Sequence, residues 1–420
     1  MGVILMNILV VGNGVDLAHK LPTSYKDFLI FLRYAKGFYD GDFVTISRWK
    51  DSKDFKALNT KVQDFLLDKC AKNKNDNLIN ELISLSLNNI WLKHFKNCLR
   101  KNKFKGENWI DFESEITKVV KSLEYLKEHN DKNLELPFGN RIPATNIMMY
   151  ENGKRFIDDI SKKLKAKNEL PNILDQENIE SSRINPSDLE NYFFCKSNSN
   201  KIASELNNEL NNLIRCLEIY LSYVVSENIK INEKLHDIEN IEEINKLISF
   251  NYTSTFKTIY DTDNSIEYDY IHGESDKNRD IKGNNMVLGI DEYLCKEDRN
   301  KKLDFIQFKK YFQRIYKKTG CKYKKWLEEM KNINEDSTDE KSSNNFLHNI
   351  YIYGHSLDIT DKDIFKDLII FPKTKITIYY YDEDDHIKKI SNIVRLIGQD
   401  ELIDRVYGSN PKIVFEQINK

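Results

Sequence analysis

Apolar residues recur along this chain in two different periods. Ile8 to Val11 form a short, almost unbroken apolar run that stops at Gly12-Asn13-Gly14, the pattern of a strand followed by a tight loop. Tyr25, Phe28, Leu29 and Leu32 then follow at i, i+3, i+4 and i+7, with Ser24 and Asp27 in capping-box position, so a helix is expected to begin there. From about residue 55 to 225 the helical period dominates. Trp109, Phe112, Ile116, Val119, Leu123 and Leu126 make one stripe, and Leu206, Leu210, Leu213, Leu217, Tyr220 and Val224 make a second; both predict core faces of a helical bundle. Asn168 to Lys201, rich in Asn, Ser, Glu and Pro, predicts exposed loops.

Past about residue 240 the period shortens. Leu247 to Phe250, Tyr268 to Ile271, Met286 to Leu288, Ile350 to Tyr353 and Ile376 to Tyr380 read as strands. Helical stripes are expected at Phe305, Phe308, Phe312 and Ile315, at Ile364, Phe365, Leu368 and Ile369, and at Ile387, Ile390, Val394 and Ile397. Strands alternating with helices predict a mainly parallel α/β sheet. One strand at the start and the others after residue 240 place the sheet domain at 1–35 and 240–420, split by a large helical insertion at 36–239. Asn332 to Asn345 is polar and charged, and is expected to be a loop.

Composition narrows the function classes. The 64 basic and 66 acidic side chains nearly cancel, which removes the cationic balance of a protein held on nucleic acid by charge alone. The longest apolar stretch, from Val3 to Val11, is broken by Asn7 and too short to span a bilayer, and it lacks the flanks of a secretory signal. A cytoplasmic protein is expected. Cysteines 70, 98, 195, 216, 295 and 321 stand singly, without the spacing of a zinc knuckle, so neither a disulfide framework nor a metal site is expected.

The candidate chemistry lies where the strands end. Gly12-Asn13-Gly14, Asn251-Tyr252-Thr253, His272-Gly273 and Gly354-His355-Ser356 each follow an apolar run with residues that stop a strand and suit a ligand. In an open parallel sheet the carboxyl ends of the strands form one crevice, so these segments can meet although they lie far apart in sequence. Gly12 and Gly14 let the backbone approach a phosphate, or simply make a turn. Asp16 either caps the next helix or holds a ribose hydroxyl. Asn251 offers an acceptor and a donor to a ligand, or closes an Asx-turn with Thr253 capping the next helix. His272 has the imidazole of a general base, with Gly273 giving access beside it, or serves as a structural histidine at the strand end. Ser356 is read as a phosphate or ribose contact beside His355. Thr360 with Asp363 reads as a capping box. Asp382-Glu383-Asp384-Asp385 reads as the acidic start of a helix, and Lys309, Lys310, Arg314, Lys317 and Lys318 as a solvated basic face.

The segments Ile8 to His19, Leu21 to Phe28, Ser249 to Thr253, Tyr270 to Gly273 and Tyr353 to Leu357 resemble the bacterial AbiH family, associated with abortive infection against bacteriophage. Further similarity lies at Asn108 to Glu113 and Phe308 to Arg314. That family looks like a distant relative of sirtuin-type NAD-binding domains, which implies a Rossmann-like, sirtuin-like sheet carrying a large α-helical insertion. The resemblance implies that Gly12 and Gly14 cradle the diphosphate, with Asp16 where sirtuin-type domains place a Ser. Asn251 and His272 then flank the nicotinamide ribose and Ser356 contacts the dinucleotide, with Asn13, Gly273, Gly354 and His355 counted among the nucleotide-binding residues. Thr253 stands where the sirtuin motif has an acid, and the four-cysteine zinc module is absent. Both departures argue against peptide deacylation more than against NAD cleavage.

The expected activity is hydrolysis of NAD at the nicotinamide-ribose bond, with His272 activating water or a ribose hydroxyl and Asn251 positioning it. The alternative is a non-catalytic nucleotide sensor that recognises a phage or host protein through its helical region. A nuclease using the charged clusters is the third reading. Expected partners are NAD or a related nucleotide and a phage or host trigger, with a second copy of the chain as a further option; membrane and nucleic acid are not expected.

Overall fold

Six short strands line up in parallel in the computed structural model: β1 (Met6–Val11), β2 (Lys246–Ser249), β3 (Glu267–Tyr270), β4 (His348–Tyr353), β5 (Thr374–Tyr380) and β6 (Ile413–Gln417). Their order is β3-β2-β1-β4-β5-β6, the arrangement of a doubly wound Rossmann-like sheet. The structure describes residues 6–130, 149–163, 199–336 and 346–418, apart from short gaps at 42, 73–74, 105–109, 150–151, 154, 161, 232 and 242. Trp109 and most of the expected loop between 168 and 201 lie outside the described residues, as does the segment 337–345.

Burial of both sheet faces explains the unbroken apolar runs. Successive side chains of a strand point to opposite faces. Ile8 and Val10 therefore pack with Ile350, Ile352, Trp326 and Phe365, while Leu9 and Val11 pack with Leu247, Ile238 and Phe256 on the other side. Asn7, the one polar residue inside β1, is fully engaged: its Nδ2 donates to the Glu243 carbonyl at 2.8 Å and its Oδ1 accepts from Asn349 Nδ2 at 3.0 Å. The helix Tyr25–Asp40 starts as expected, with Ser24 Oγ accepting from the Asp27 amide at 3.2 Å.

Several expected elements are corrected. Met286 to Leu288 is fully buried but is not a strand; the Val287 amide donates to the His272 carbonyl at 2.8 Å, so burial without a ladder accounts for its apolar character. The missed strand β6 is a sheet edge, exposed towards Glu416 and Gln417, and its alternation is correspondingly weak. The stripe from Phe305 to Ile315 breaks into a 3-10 turn, Ile306–Phe308, and a helix, Lys310–Lys317, which leaves Ile315 exposed.

The chain forms two compact units. One comprises Met1–Glu81, Leu217–Val287 and Arg314–Lys420 and contains the whole sheet; the other comprises Leu82–Cys216 and Leu288–Gln313. In the second unit, helix Phe112–Asn130 buries the described part of the first expected stripe and helix Ser199–Ile219 buries Leu206, Leu210 and Leu213 of the second, with Phe95 of helix Ile90–Phe104 stacked on Phe112 at 4.0 Å. Trp91 Nε1 donates to the Leu206 carbonyl at 3.0 Å, and Glu209 Oε2 accepts from the Ile90 amide at 3.1 Å.

Candidate functional site

The strand register sets Val11 beside Ser249 and Tyr353, and Ser249 beside Tyr270, so the loops after β1, β2, β3 and β4 leave one edge of the sheet side by side. Strand order reverses between β1 and β4, the switch point beside which open α/β sheets commonly bind ligands.

The β1 and β4 loops meet backbone to backbone. The Gly12 amide donates to the Tyr353 carbonyl at 3.1 Å and the Gly14 amide to the Gly354 carbonyl at 2.8 Å. A Cβ on Gly12 would lie 2.7 Å from the Gly354 carbonyl oxygen, and one on Gly14 would lie 2.6 Å from the Gly354 Cα. Gly354 itself has φ +68°, a left-handed conformation that favours glycine. The three glycines are thus required by this close approach, whatever else they touch.

Asp16, in the short helix Gly14–Ala18, points towards the β2 loop. Its Oδ2 accepts from Thr253 Oγ1 at 2.7 Å, and Thr253 Oγ1 in turn accepts from Thr255 Oγ1 at 3.1 Å. The other carboxylate oxygen, Oδ1, is buried without a hydrogen-bond partner. Burial raises the Asp16 pKa to about 6, outweighing the hydrogen bonds from Thr253 and Thr255 that lower it. Neither Asp16 nor Thr253 acts as a helix cap: the carboxylate takes the threonine hydroxyl, and Ser254 occupies the cap position before helix Thr255–Tyr260. Asn251 also carries a buried, unpartnered oxygen, Oδ1, while its backbone amide donates to Ser249 Oγ at 3.1 Å.

His272 follows β3, and its Nε2 lies 3.0 Å from Asp361 Oδ1. His355 follows β4, and its Nε2 lies 3.8 Å from the other oxygen of the same carboxylate. The Leu357 amide donates to His355 Nδ1 at 2.9 Å, so neutral His355 carries its proton on Nε2, facing Asp361. The Nε2–H of His272 donates to Asp361 Oδ1, which puts the proton of the neutral ring on Nε2. Phe250 fills the space between the imidazoles, edge-on to His272 at 5.4 Å and tilted against His355 at 4.4 Å, and stacks on Phe365 at 5.0 Å. An acid orienting an imidazole is the arrangement of a general-base dyad.

Residues 8–381 match the family model described as Bacteriophage abortive infection AbiH. The chain belongs to the AbiH family. Membership gives it a role in abortive infection, the defence of bacteria against bacteriophage. No curated protein and no solved structure matches the chain. Among the described residues no helix is long and apolar enough to cross a membrane.

In this AbiH chain the expected residues make three local sets of contacts. Gly12, Gly14, Gly354 and His355 meet one another; Asp16 joins the Asn251-to-Thr253 loop through Thr253; His272 and His355 share Asp361. Gly273, with φ +76°, backs onto Asn285, whose carbonyl oxygen would lie 2.2 Å from an added Cβ. Asn13 and Ser356 are exposed. Asn13 Oδ1 accepts from Thr23 Oγ1 at 2.7 Å, and the Ser356 carbonyl accepts from Asn392 Nδ2 at 2.9 Å.

Asp361 is the site residue that sequence reasoning missed. Thr360 and Asp363 do not form a capping box: Asp358 Oδ1 accepts from the Thr360 amide at 3.0 Å, and Asp363 pairs with Arg314. The available signal was the row of acids at 358, 361 and 363, of which one was surplus to local needs. The charged clusters have structural roles. Asp382 caps its helix by accepting from the Asp385 amide at 2.9 Å. Lys309 and Lys310 are not solvated; they are buried and paired with Glu292 and Glu113.

Proposed function

We propose that this AbiH protein binds NAD or a related nucleotide at the carboxyl ends of β1, β2, β3 and β4 and hydrolyses the bond between nicotinamide and ribose, depleting NAD in an infected cell. The observation that carries this reading is the 3.0 Å contact between Asp361 and His272. It orients the imidazole and would stabilise the imidazolium formed when the ring takes up a proton.

Nicotinamide is a cationic pyridinium while bound to ribose and departs neutral with the electrons of the broken bond, so the leaving group needs no acid. Water supplies the new bond to the ribose carbon, and its proton passes to His272. The unpartnered oxygens of Asn251 and Asp16 are acceptors suited to ribose hydroxyls or to that water. The Gly12 and Gly14 amides already donate to Tyr353 and Gly354, so the reading places no diphosphate on them.

The test is chromatography of NAD, nicotinamide and ADP-ribose after incubation with wild-type, Asn251→Ala and His272→Ala protein, with and without extract of phage-infected cells. Release of nicotinamide by the wild type alone is expected. Intact NAD in every condition, together with undiminished phage protection by His272→Ala, overturns the reading. A second reading, nucleotide sensing without turnover, is favoured by the deep burial of His272 and Asp361, 6% and 4% exposed. Saturable NAD binding with no product selects it.

A further inference from the structure

In the helical unit, His94 and Cys98 stand four residues apart in helix Ile90–Phe104, and this spacing sets both side chains on one helix face. Glu115, from helix Phe112–Asn130, reaches the same point. Cys98 Sγ lies 3.5 Å from His94 Nε2 and 3.2 Å from Glu115 Oε2, and His94 Nε2 lies 3.3 Å from Glu115 Oε2. A tetrahedral zinc ion with bonds of about 2.0 to 2.3 Å separates its nitrogen, oxygen and sulfur ligands by about 3.3 to 3.6 Å. We propose that His94, Cys98 and Glu115 bind one divalent transition-metal ion, zinc by preference, through Nε2, Sγ and a single carboxylate oxygen.

The three donors are the borderline and soft types that zinc takes, and three protein ligands leave a fourth position for water or an external group. Lys118 Nζ lies 2.6 Å from Glu115 Oε1, which fixes the carboxylate and leaves Oε2 for the metal. Binding replaces the proton that the Cys98 thiol donates to Glu115, and that proton leaves to solvent. A metal on Nε2 also requires the remaining imidazole proton on Nδ1, where Arg155 Nη2 lies 3.1 Å away, so Arg155 withdraws on binding. The cysteines have no paired spacing because the cluster draws on only one of them. A bound ion joins the two helices where His94 and Phe95 precede Cys98 and where Phe112 already stacks on Phe95.

The test titrates the chelator-stripped full chain with Co²⁺ alone and then displaces it with Zn²⁺. Expected are a thiolate-to-cobalt charge-transfer band saturating at one equivalent, its loss in Cys98→Ser, and binding weakened about tenfold or more in His94→Gln and Glu115→Gln. Cys295→Ser and Cys321→Ser, which alter exposed thiols, should keep the band. No band in the wild type, or a band that persists in Cys98→Ser, overturns the site. Circular dichroism of each metal-free variant checks its fold. Arg155→Gln removes no ligand and is expected to tighten binding; weaker binding overturns coordination through Nε2.

Discussion

Asp361 holds His272 through a 3.0 Å contact between residues 89 positions apart in the chain. The contact joins the loop after β3 to the loop after β4, and His355 approaches the same carboxylate from its second oxygen at 3.8 Å. One acid therefore bonds the imidazole from one strand end and lies near the imidazole from another.

Asp361→Asn keeps the shape of that side chain but removes the charge that stabilises an imidazolium. Nicotinamide release should fall by about 10²-fold or more, with NAD binding retained, as shown by single-turnover assays beside calorimetry. Equal rates for the variant and the wild type would remove His272 from the chemistry.

Asn251 separates function from stability. Its Oδ1 is buried with no partner, so Asn251→Ala removes no hydrogen bond made by that atom and should change unfolding free energy by no more than about 1 kcal/mol. Phage protection should nevertheless be lost. A variant that protects fully and unfolds at the wild-type urea midpoint would leave Asn251 without a role.

Asp16 makes stability depend on pH. Its folded pKa is about 6 against an ordinary 3.8, so the folded chain holds the proton more tightly than the unfolded chain does. Stability contributed by this group is complete below about 4 and is lost as pH rises through about 6, an effect on the order of 3 kcal/mol. Asp16→Asn removes the titration. Urea unfolding at pH 5 and pH 8 should show a smaller loss in the variant than in the wild type, and identical losses would contradict the assignment.

Gly14 and Gly283 form a contrasting pair. A Cβ on Gly14 meets the Gly354 Cα at 2.6 Å, whereas one on Gly283 meets nothing closer than the Asp280 side chain at 3.2 Å. Gly14→Ala should destabilise the chain by about 1–3 kcal/mol by forcing the β1 and β4 loops apart. Gly283→Ala should stay within about 0.5 kcal/mol. Thermal or urea unfolding of the two variants measures the difference.

The hydrophobic pattern alone determined most of the parallel sheet. Central strands such as β1 and β4 are buried on both faces and must be apolar along their length, a local property visible in Ile8 to Val11 and Ile350 to Tyr353. It could not separate Met286 to Leu288 from a strand, because burial demands apolar side chains whether or not a ladder forms. Nor did it reveal β6, whose edge position relaxes that demand. The ligand-suited residues at Gly12, Asn251, His272 and Gly354 were legible because each interrupts an apolar run.

Their pairing belonged to the tertiary structure. Strand order β3-β2-β1-β4 places loops from distant parts of the chain at one sheet edge, and no local rule specifies that order. The same assembly made Asp361, to which the sequence reading gave no role, the partner of His272, and turned Thr253 from a cap into the partner of Asp16. Sequence periodicity reports which side of an element faces the core. A hydrogen bond between two loops depends on where folding brings their ends, and only the packed sheet decides that.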